Sequence, residues 1–473
     1  MFRGRIQHIH MVGIGGTGMC GIAEVLLTQG FRVTGSDVRE SATLERLRRL
    51  GGRIWVGHAA EHVAGADVVV KSTAIPPDNV EIQAAEAALV PVIPRAEMLA
   101  ELMRMKYGLA VAGSHGKTTT TSMLAACLAT AGLDPTIVIG GRLDRIGSTA
   151  RLGMGEHLVA EADESDGSFM LLAPTVAVVT SIDPEHLDHW GDLDTLLDGF
   201  AAFASKVPFY GFAVVCLDHP NVQAILPRIR RRTITYGLGA QAEVRGTDIR
   251  PDGVHTRFAV LRHGQPLGEL ALSMPGRHNV RNALAATAVA LELGIDFSTV
   301  AEALDGFTGV DRRFSIRAVL APPAGGEPVT IIDDYGHHPA EIQATLTAAA
   351  EAWPHRRVIA VFQPHRYTRV RDLFDDFARS FNQAGQVLVT PIYRAGERPL
   401  DGIDHHRIAT AMRDRGHRAV VAVDGLDAAV DWLRDEVRPG DVVLTLGAGD
   451  VNRVCTDLDA ALRAQGFRAA EHG

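Results

Sequence analysis

Short apolar runs alternate with amphipathic, helix-like segments along most of the chain. The first runs are IQHIHMV, FRVTGSD and ADVVVKSTA, and helix-like stretches such as GMCGIAEVLLTQG separate them. Apolar runs of this length are typical of strands buried on both faces, and their alternation with helices predicts βαβ units around a parallel sheet. The alternation returns in YGLAVAG, HLVAEAD, TVAVVTSI and GFAVVCLD, and again in VTIIDDY, RVIAVFQP, QVLVTPIY and DVVLTLGAG.

These three groups of apolar runs predict three α/β domains. A chain of 473 residues is too long for one ordinary core. The prolines of VPVIPRAEML favour a domain end before YGLAVAG, the segment GVDRRF precedes the third group, and residues 232–272 have a more β-like pattern. We predict a Rossmann-like domain over 1–106, a central P-loop ATPase-like domain over 107–312 and a second Rossmann-like domain over 313–473.

The composition narrows the class of protein. Apolar residues make up 46% and charged residues 22% of the chain, as in ordinary globular proteins. The net charge of -9 argues against the broad basic surface of a nucleic-acid-binding protein. The 4 cysteines have no zinc-ligand spacing, and no apolar run is long enough for a membrane span. We expect a cytoplasmic monomer or homodimer with reduced thiols, small-molecule substrates, and neither nucleic acid nor membrane as a partner.

A glycine loop follows the first predicted strand. In HIHMVGIGGTGM, Gly13, Gly15 and Gly18 lie between a strand and a helix, and Asp37 stands at the end of the next strand. Glycines let the backbone approach a diphosphate, whose charge is favourable near a helix N-terminus. An acidic residue at this place usually indicates the ribose of NAD, but the same physics serves any diphosphate, and glycines also occur in such turns for packing alone. The motif favours phosphate binding without identifying the ligand.

A second loop, VAGSHGKTTTT, opens the central domain. Gly113, Gly116, Lys117 and Thr118 follow an apolar strand and begin a helix, with a shorter spacing between the glycines than in the full P-loop. Backbone N–H groups of such a loop cradle phosphates, the lysine reaches the terminal phosphates, and the threonine hydroxyl can bind Mg²⁺. The alternative is a glycine turn with an incidental lysine. The order of strand, loop and helix favours binding of ATP and Mg²⁺. A nicotinamide enzyme would not need this second loop.

Acidic segments follow two later strands and offer further metal ligands. VAEADESDGSF contains Glu161, Asp163, Glu164 and Asp166, and TSIDPEHLDHW contains Asp183, Glu185, His186, Asp188 and His189. Either cluster alone is more often a solvated loop. Because both follow apolar strands downstream of the lysine loop, we expect some of these side chains to complete a Mg²⁺ shell.

Together with PGRHNVRNALAA, IIDDYGHHPAEI and VFQPHRYTRVRDLF, these motifs resemble the Mur ligase family. The resemblance extends over all three domains, from His8 to about Gly449. It implies that the first loop holds the diphosphate of a UDP-sugar. It also implies an ATP-dependent amide ligation that joins L-alanine to the lactyl carboxylate of UDP-N-acetylmuramate through an acyl phosphate, in peptidoglycan precursor synthesis.

The resemblance also implies roles for individual residues. The UDP-sugar site would comprise Gly15, Gly16, Thr17, Gly18, Asp37 and Ser72. The ATP site would comprise Gly113, Ser114, His115, Gly116, Lys117, Thr118, Thr119, Asn279, Asn282 and Arg313, with Arg312 as the alternative arginine. Thr118 and Glu161 would bind one Mg²⁺ and His186 a second, and the amino-acid pocket would contain Asp334, Tyr335, His337 and His338. The catalytic residues would be Lys117, His337, Arg366 and Arg369, the arginines being suited to a carboxylate.

The sequence departs from the family's usual residue at one further position, and it leaves other functions open. Ser181 stands where the family commonly has asparagine, and Lys206 is no secure match for the carbamylated lysine of related ligases. A ligase that adds a preformed tripeptide to the same UDP-sugar, a folate-polyglutamating ligase, an inactive nucleotide-binding regulator and an NAD-dependent oxidoreductase are the alternatives. The joint presence of Lys117, Glu161 and His186 argues against the regulator.

Overall fold

The computed structural model describes residues 6–72, 74–143 and 148–470, apart from the side chains of residue 17 and residues 140–150. Its strands form three sheets, and its contacts divide the chain into two compact units. The first unit comprises Met1–Asp248, Phe258–Ala271 and Val280–Thr308. The second unit comprises Ile249–Arg257, Leu272–Asn279 and Gly309–Gly473.

The first sheet is parallel and has the strand order β3-β2-β1-β4-β5. Its elements are β1 (His8–Val12), α1 (Thr17–Thr28), β2 (Arg32–Asp37), α2 (Ala42–Arg49), β3 (Arg53–Val56), a 3₁₀ turn (Ala60–Val63), β4 (Val68–Lys71), α3 (Val80–Ala87), β5 (Val92–Pro94) and α4 (Arg95–Arg104). All of β1 is buried because helices cover both faces of such a sheet. The carboxyl ends of β1, β2 and β4 meet at one edge, where the first glycine loop begins.

The second sheet has ten strands in the order β15-β14-β13-β12-β11-β10-β6-β9-β7-β8. Its first elements are β6 (Tyr107–Ala112), α5 (Lys117–Thr130), β7 (Thr136–Leu143), β8 (Ser148–Arg151), β9 (His157–Glu161), a 3₁₀ turn (Ser168–Leu171), β10 (Val176–Val179), α6 (Leu187–Trp190), α7 (Leu193–Ser205) and β11 (Phe212–Cys216). The others are α8 (Pro220–Ile225), a 3₁₀ turn (Leu226–Arg228), β12 (Thr233–Gly237), β13 (Val244–Asp252), β14 (His255–Arg262), β15 (Gln265–Leu272), α9 (Arg277–Glu292) and α10 (Phe297–Asp305). Strand β6 pairs in parallel with β9 and β10, so the loops after these three strands lie side by side.

The third sheet has the order β20-β19-β18-β21-β17-β16-β22 and is antiparallel only at β16 and β22 among the described pairs. Its first elements are β16 (Ser315–Ala321), β17 (Val329–Asp334), α11 (Pro339–Ala352), β18 (Val358–Phe362), α12 (Tyr367–Asp372), α13 (Phe374–Phe377) and β19 (Gln386–Val389). The others are α14 (His405–Asp414), β20 (Val420–Ala422), α15 (Leu426–Glu436), β21 (Val442–Leu446), α16 (Arg453–Ala464) and β22 (Arg468–Ala469). Buried aliphatic residues of β17, β18 and β21 form the centre of its core.

The predicted α/β architecture is confirmed, and β12 to β15 occupy the stretch with the β-like pattern. The boundaries at residues 106 and 312 stay predictions. No helix in the described ranges is long and apolar enough to cross a membrane. All four cysteines lie in those ranges, and each is buried and outside any disulfide.

Candidate active site

The first glycine loop is shaped by bonds to the end of β2. The N–H groups of Gly13 and Ile14 both donate to the carbonyl of Ser36, at 2.9 and 3.1 Å. Gly15 donates its N–H to Oδ2 of Asp37 at 2.8 Å, and Oδ1 of Asp37 accepts from the N–H of Val38 at 2.8 Å. A Cβ at residue 15 would lie 2.9 Å from the Asp37 carboxylate, so any larger residue there would displace that carboxylate. Both carboxylate oxygens of Asp37 therefore serve the backbone.

The remaining predicted UDP-sugar residues surround this loop. Gly16 is the N-cap of α1, and Gly18 lies in its first turn. Ser72 follows β4 and donates its N–H to the carbonyl of Val12 at 3.3 Å, at the base of the loop. The side chain of Thr17 lies outside the described residues.

A buried polar group, here called the Glu81 cluster, supports the loop from below. It consists of Glu81, Ser36, His10, His58 and His62. The Glu81 carboxylate is fully buried and accepts from the Ser36 hydroxyl, and it contacts Nδ1 of His62 at 2.6 Å and Nδ1 of His58 at 3.0 Å. Burial alone would raise the pKa of Glu81, but interactions with these neighbours, His10 foremost, outweigh it and lower the pKa to about 2. The cluster therefore fixes Ser36, whose carbonyl holds the loop.

The second loop lies against the segment that follows β10. Gly113 and Gly116 adopt φ values of +135° and +81°, which favour glycine. Ser114 donates its N–H to the carbonyl of Ser181 at 2.9 Å, and the N–H of His115 donates to the Ser181 hydroxyl at 3.0 Å. The hydroxyl of Ser181 thus supports the loop at the position where the family commonly has asparagine.

Lys117 begins α5 and is buried among acidic side chains. Its Nζ lies 2.8 and 2.9 Å from the two oxygens of Glu164 and donates to the carbonyl of Gly113 at 2.6 Å. Burial alone would lower the pKa of this lysine, but three carboxylates, those of Glu164, Asp163 and Glu161, hold it above its ordinary value. Lys117 is therefore a permanent cation at the mouth of the loop.

The predicted metal ligands fall into two neighbouring groups. The Thr118 hydroxyl lies 3.1 Å from both oxygens of Glu161, so these two predicted ligands lie side by side. His186, the predicted ligand of a second ion, lies with Glu164 and Glu185, and their ligand atoms are all within 4.8 Å of one another. Carboxylate and hydroxyl oxygens are ligands that Mg²⁺ prefers, so this donor set fits the ion. Glu164 and Glu185 belong to the acidic segments seen in the sequence, but the pattern did not select them.

A second charge cluster lies behind the loop. Nε2 of His115 is 3.2 Å from Oδ2 of Asp183, and Nε2 of His219 is 3.5 Å from Oδ1 of the same carboxylate. Burial opposes ionisation of Asp183, but hydrogen bonds to the two histidines outweigh it and hold its pKa far below the ordinary value. This arrangement anchors His115 within the loop.

The predicted adenine-side residues and Thr119 occupy buried helical positions. Oδ1 of Asn282 accepts from the Thr120 hydroxyl at 3.2 Å, which places it beneath the second loop. Asn279, at the start of α9, donates Nδ2 to the carbonyl of Pro275 at 2.8 Å. Thr119 is buried on α5.

In the second unit, Asp334 organises the turn after β17. Its carboxylate accepts from the N–H of Phe314 at 2.8 Å and of Gly336 at 2.7 Å. Burial raises the pKa of Asp334 to about 6 despite the opposing effect of Arg313. The carboxylate thus holds the turn that carries the predicted amino-acid residues.

The two predicted pocket histidines differ in their surroundings. His338 is the N-cap of α11 and forms a capping box with Glu341. Nδ1 of His337 lies 3.0 Å from the carbonyl of Tyr335, and burial foremost lowers the pKa of His337 to about 3. His337 is therefore neutral near pH 7, whereas His338 has a structural role at the helix start.

Arg366 and Arg369 flank the start of α12. Arg366 has a φ of +67°, and its N–H donates to the carbonyl of Tyr393 at 2.9 Å. Nη1 of Arg369 lies 3.3 Å from Nδ1 of His365, a ring that stacks on Tyr393 and contacts His337 edge-on at 5.8 Å. His365 therefore brings Arg369 and His337 together. The sequence contained it within FQPHRYTR, but the prediction named only the arginines.

The geometry separates the two candidate arginines that precede β16. The guanidinium of Arg312 donates to the carbonyls of Gly447 at 2.6 Å and Gly449 at 3.0 Å and also pairs with Asp333. Arg313 lies 3.4 Å from Glu341 and packs over the Tyr335 ring. Arg312 therefore holds the segment after β21 in place, and a role of Arg313 in ATP binding stays a prediction.

Family models match all three parts of the chain. The Mur ligase family catalytic domain matches residues 8–107, the Mur ligase middle domain matches 111–290, and the Mur ligase glutamate ligase domain matches 313–449. Two curated relatives are named UDP-N-acetylmuramate–L-alanine ligase. The protein from Sorangium cellulosum is 55% identical with 98% of each chain covered, and that from Geobacter sp. strain M21 is 54% identical with 98% of this chain and 99% of the relative covered.

Solved structures agree with this match. A UDP-N-acetylmuramate–alanine ligase from Thermotoga maritima is 30% identical, covers 97% of this chain and 99% of its own, and has a TM-score of 0.79. A murein peptide ligase from Psychrobacter arcticus is 24% identical with a TM-score of 0.68, covering 96% of this chain and 98% of its own, and supports the fold alone.

Proposed function

This chain belongs to the Mur ligase family, and we propose that it is an ATP-dependent ligase that joins L-alanine to the lactyl carboxylate of UDP-N-acetylmuramate in peptidoglycan precursor synthesis. The observation that carries the proposal is the 54–55% identity, over almost the whole length, to relatives named for this reaction. The second glycine loop supports the proposal, because its buried lysine and the adjacent carboxylates are groups that can hold a triphosphate and Mg²⁺.

The first half-reaction activates the lactyl carboxylate. One of its oxygens attacks the γ-phosphorus of ATP, and the bond from that phosphorus to the bridging oxygen breaks. ADP departs, and the lactyl carboxylate has become an acyl phosphate. We assign Lys117, whose Nζ bonds to the carbonyl of Gly113 in the second loop, to supply the cationic charge that brings two anions together. We assign Thr118, Glu161, Glu164, Glu185 and His186 to hold Mg²⁺, which when bound neutralises phosphate charge.

The second half-reaction forms the amide. The amine of L-alanine attacks the acyl carbon, a proton is lost, and phosphate leaves. We assign Arg366 and Arg369 to the alanine carboxylate, for which a guanidinium is a two-pronged partner. His337 is neutral near pH 7 and contacts the Tyr335 carbonyl through Nδ1, so Nε2 can accept a hydrogen bond from the incoming amine.

The test is ADP release by the untagged protein with ATP, Mg²⁺ and UDP-N-acetylmuramate, comparing L-alanine, the tripeptide and no amine. We expect release to depend on L-alanine. Release with the tripeptide alone would assign the recycling ligase instead, and absence of release with any amine would favour the inactive regulator. The cytoplasmic location and the monomeric or dimeric state stay predictions.

A further inference from the structure

One arginine stands beside the first glycine loop. Arg95 begins α4, which packs against α1 and against the 3₁₀ turn Ser168–Leu171. Its guanidinium covers Gly18 so closely that a Cβ at Gly18 would lie 3.0 Å from Cζ of Arg95. The missing side chain at Gly18 therefore makes room for this guanidinium.

The Arg95 side chain is half-buried. It forms no hydrogen bond or ion pair with any residue that the structure describes. A guanidinium carries five N–H donors, so a half-buried one without an acceptor gains most from an anion that arrives from outside. A merely structural arginine would be expected to bond to nearby carbonyls, as Arg312 does.

The position of Arg95 also relates it to the second loop. Burial alone would raise the pKa of Asp163. The charge of Lys117, hydrogen bonds from Ser165 and the charge of Arg95 outweigh burial, so the pKa lies below its ordinary value. Arg95 therefore lies within electrostatic reach of the acidic segment around Lys117. The same guanidinium therefore lies against the first loop and acts electrostatically on a carboxylate near the second.

The residues of the first loop supply no full positive charge. The segment from Gly13 to Gly18 carries no charged side chain, and Asp37 beside it is acidic. Lys117 already faces three carboxylates. Backbone N–H groups at the start of α1 offer an incoming diphosphate only partial positive charge, and Arg95 is a full cation beside the loop.

We propose that Arg95 is a substrate-binding residue, whose guanidinium binds the sugar-side phosphate of the UDP-sugar and so directs the lactyl carboxylate toward Lys117. This inference rests on the proposed function. Arginine suits the role because its planar fork can bind two phosphate oxygens at once, which fixes direction as well as position.

Calorimetric titration without ATP tests this, with UDP-N-acetylmuramate, UDP and UMP as probes. In Arg95→Ala we expect affinity for UDP-N-acetylmuramate and UDP to fall about 10- to 100-fold, as for a lost charge-assisted hydrogen bond. UMP lacks the second phosphate, so its affinity should change less than about 2-fold. The affinities of Arg95→Lys for UDP-N-acetylmuramate and UDP should lie between those of the wild type and those of Arg95→Ala. In turnover, KM for the UDP-sugar should rise while KM for ATP stays constant.

Arg104→Ala is the matched control, because Arg104 lies on the same helix, is exposed, and pairs with Glu101. It should bind all three probes as the wild type does. Equal losses of UDP and UMP in Arg95→Ala would show that the loop itself had collapsed, and wild-type affinity for UDP would show that Arg95 does not touch the diphosphate; either result overturns the inference. If the wild type binds no UDP-sugar and releases no ADP with L-alanine, the proposed function fails, and this inference fails with it.

Discussion

The two glycine loops of the first unit prepare for phosphate in opposite ways. The Gly13 loop contains no charged side chain, and its shape is set by Ser36 and Asp37 above the Glu81 cluster. The loop at Gly113 contains Lys117, which faces the acidic side chains of Glu164 and its neighbours. A phosphate bound at the first loop would contact a backbone that is already in place. A phosphate bound at the second loop would compete with Glu164 for Lys117. Substitutions should therefore affect geometry at the first loop and chemistry at the second.

The largest effect is expected at the second loop. Lys117→Ala should lower the rate of ADP release about 1,000-fold, because it removes the cation at the phosphates and leaves Glu164 buried without its partner. Steady-state ADP release measures this. Lys206→Ala is the control, since within the described part of the chain the only hydrogen bond of that lysine goes to the carbonyl of Met170. Comparable loss in the control would give Lys206 a catalytic role.

At the first loop, Glu81→Gln should act on folding and its pH dependence. The pKa of Glu81 falls from 4.5 to about 2 on folding, so its ionised form adds stability above pH 4.5, worth about 3 kcal/mol, that disappears as the pH falls toward 2. Urea unfolding at pH 7 and pH 3.5 should show the difference between wild type and variant shrinking at the lower pH. Glu86→Gln, exposed on the same helix, should show no difference at either pH. A pH-independent difference would contradict the assignment of charge to Glu81.

A smaller effect is expected from the carboxylates that we assign to Mg²⁺ beside the second loop. Glu185→Gln should raise the Mg²⁺ concentration for half-maximal ADP release about 10-fold, because a carboxylate ligand beside His186 and Glu164 becomes an amide. Asp188→Asn removes an exposed charge from the same segment and should leave the Mg²⁺ dependence unchanged. Identical Mg²⁺ curves for Glu185→Gln and wild type would remove Glu185 from the metal site.

The smallest effect concerns the backbone of the second loop. Ser181→Ala removes the hydroxyl that accepts from the N–H of His115 and should raise KM for ATP about 5-fold, the equivalent of one neutral hydrogen bond. Ser181→Asn restores the residue common in the family and should stay within about 2-fold of the wild type. A KM for ATP unchanged by Ser181→Ala would mean that the loop keeps its shape without this bond.

The sequence made the two loops visible because each is continuous and stands between a strand and a helix. The pairing of Thr118 with Glu161 was also predictable, since the loops after neighbouring parallel strands β6 and β9 must lie together. Such features depend on local pattern and on the rule that ligands gather at the carboxyl ends of parallel strands.

The Glu81 cluster was not predictable in this way. His10 lies in β1, His58 precedes the 3₁₀ turn, His62 lies within it, and Glu81 lies in the first turn of α3. The group therefore exists only after the sheet has formed. Single histidines in apolar surroundings carry no pattern that distinguishes them from ordinary core residues. Glu164 and Glu185 were visible as acidic residues, but choosing them among nine candidates required the fold.

Asp37 has a consequence for protein engineering. In dinucleotide-binding folds, the acidic residue at the end of the second strand is a natural target for changing ligand selectivity, because it contacts the ribose. In this chain both oxygens of Asp37 accept backbone N–H groups, and one of those groups belongs to the loop itself. Redesign at this position would alter the shape of the whole binding surface, so a library aimed at new nucleotide-sugars should keep Asp37 and vary its surroundings.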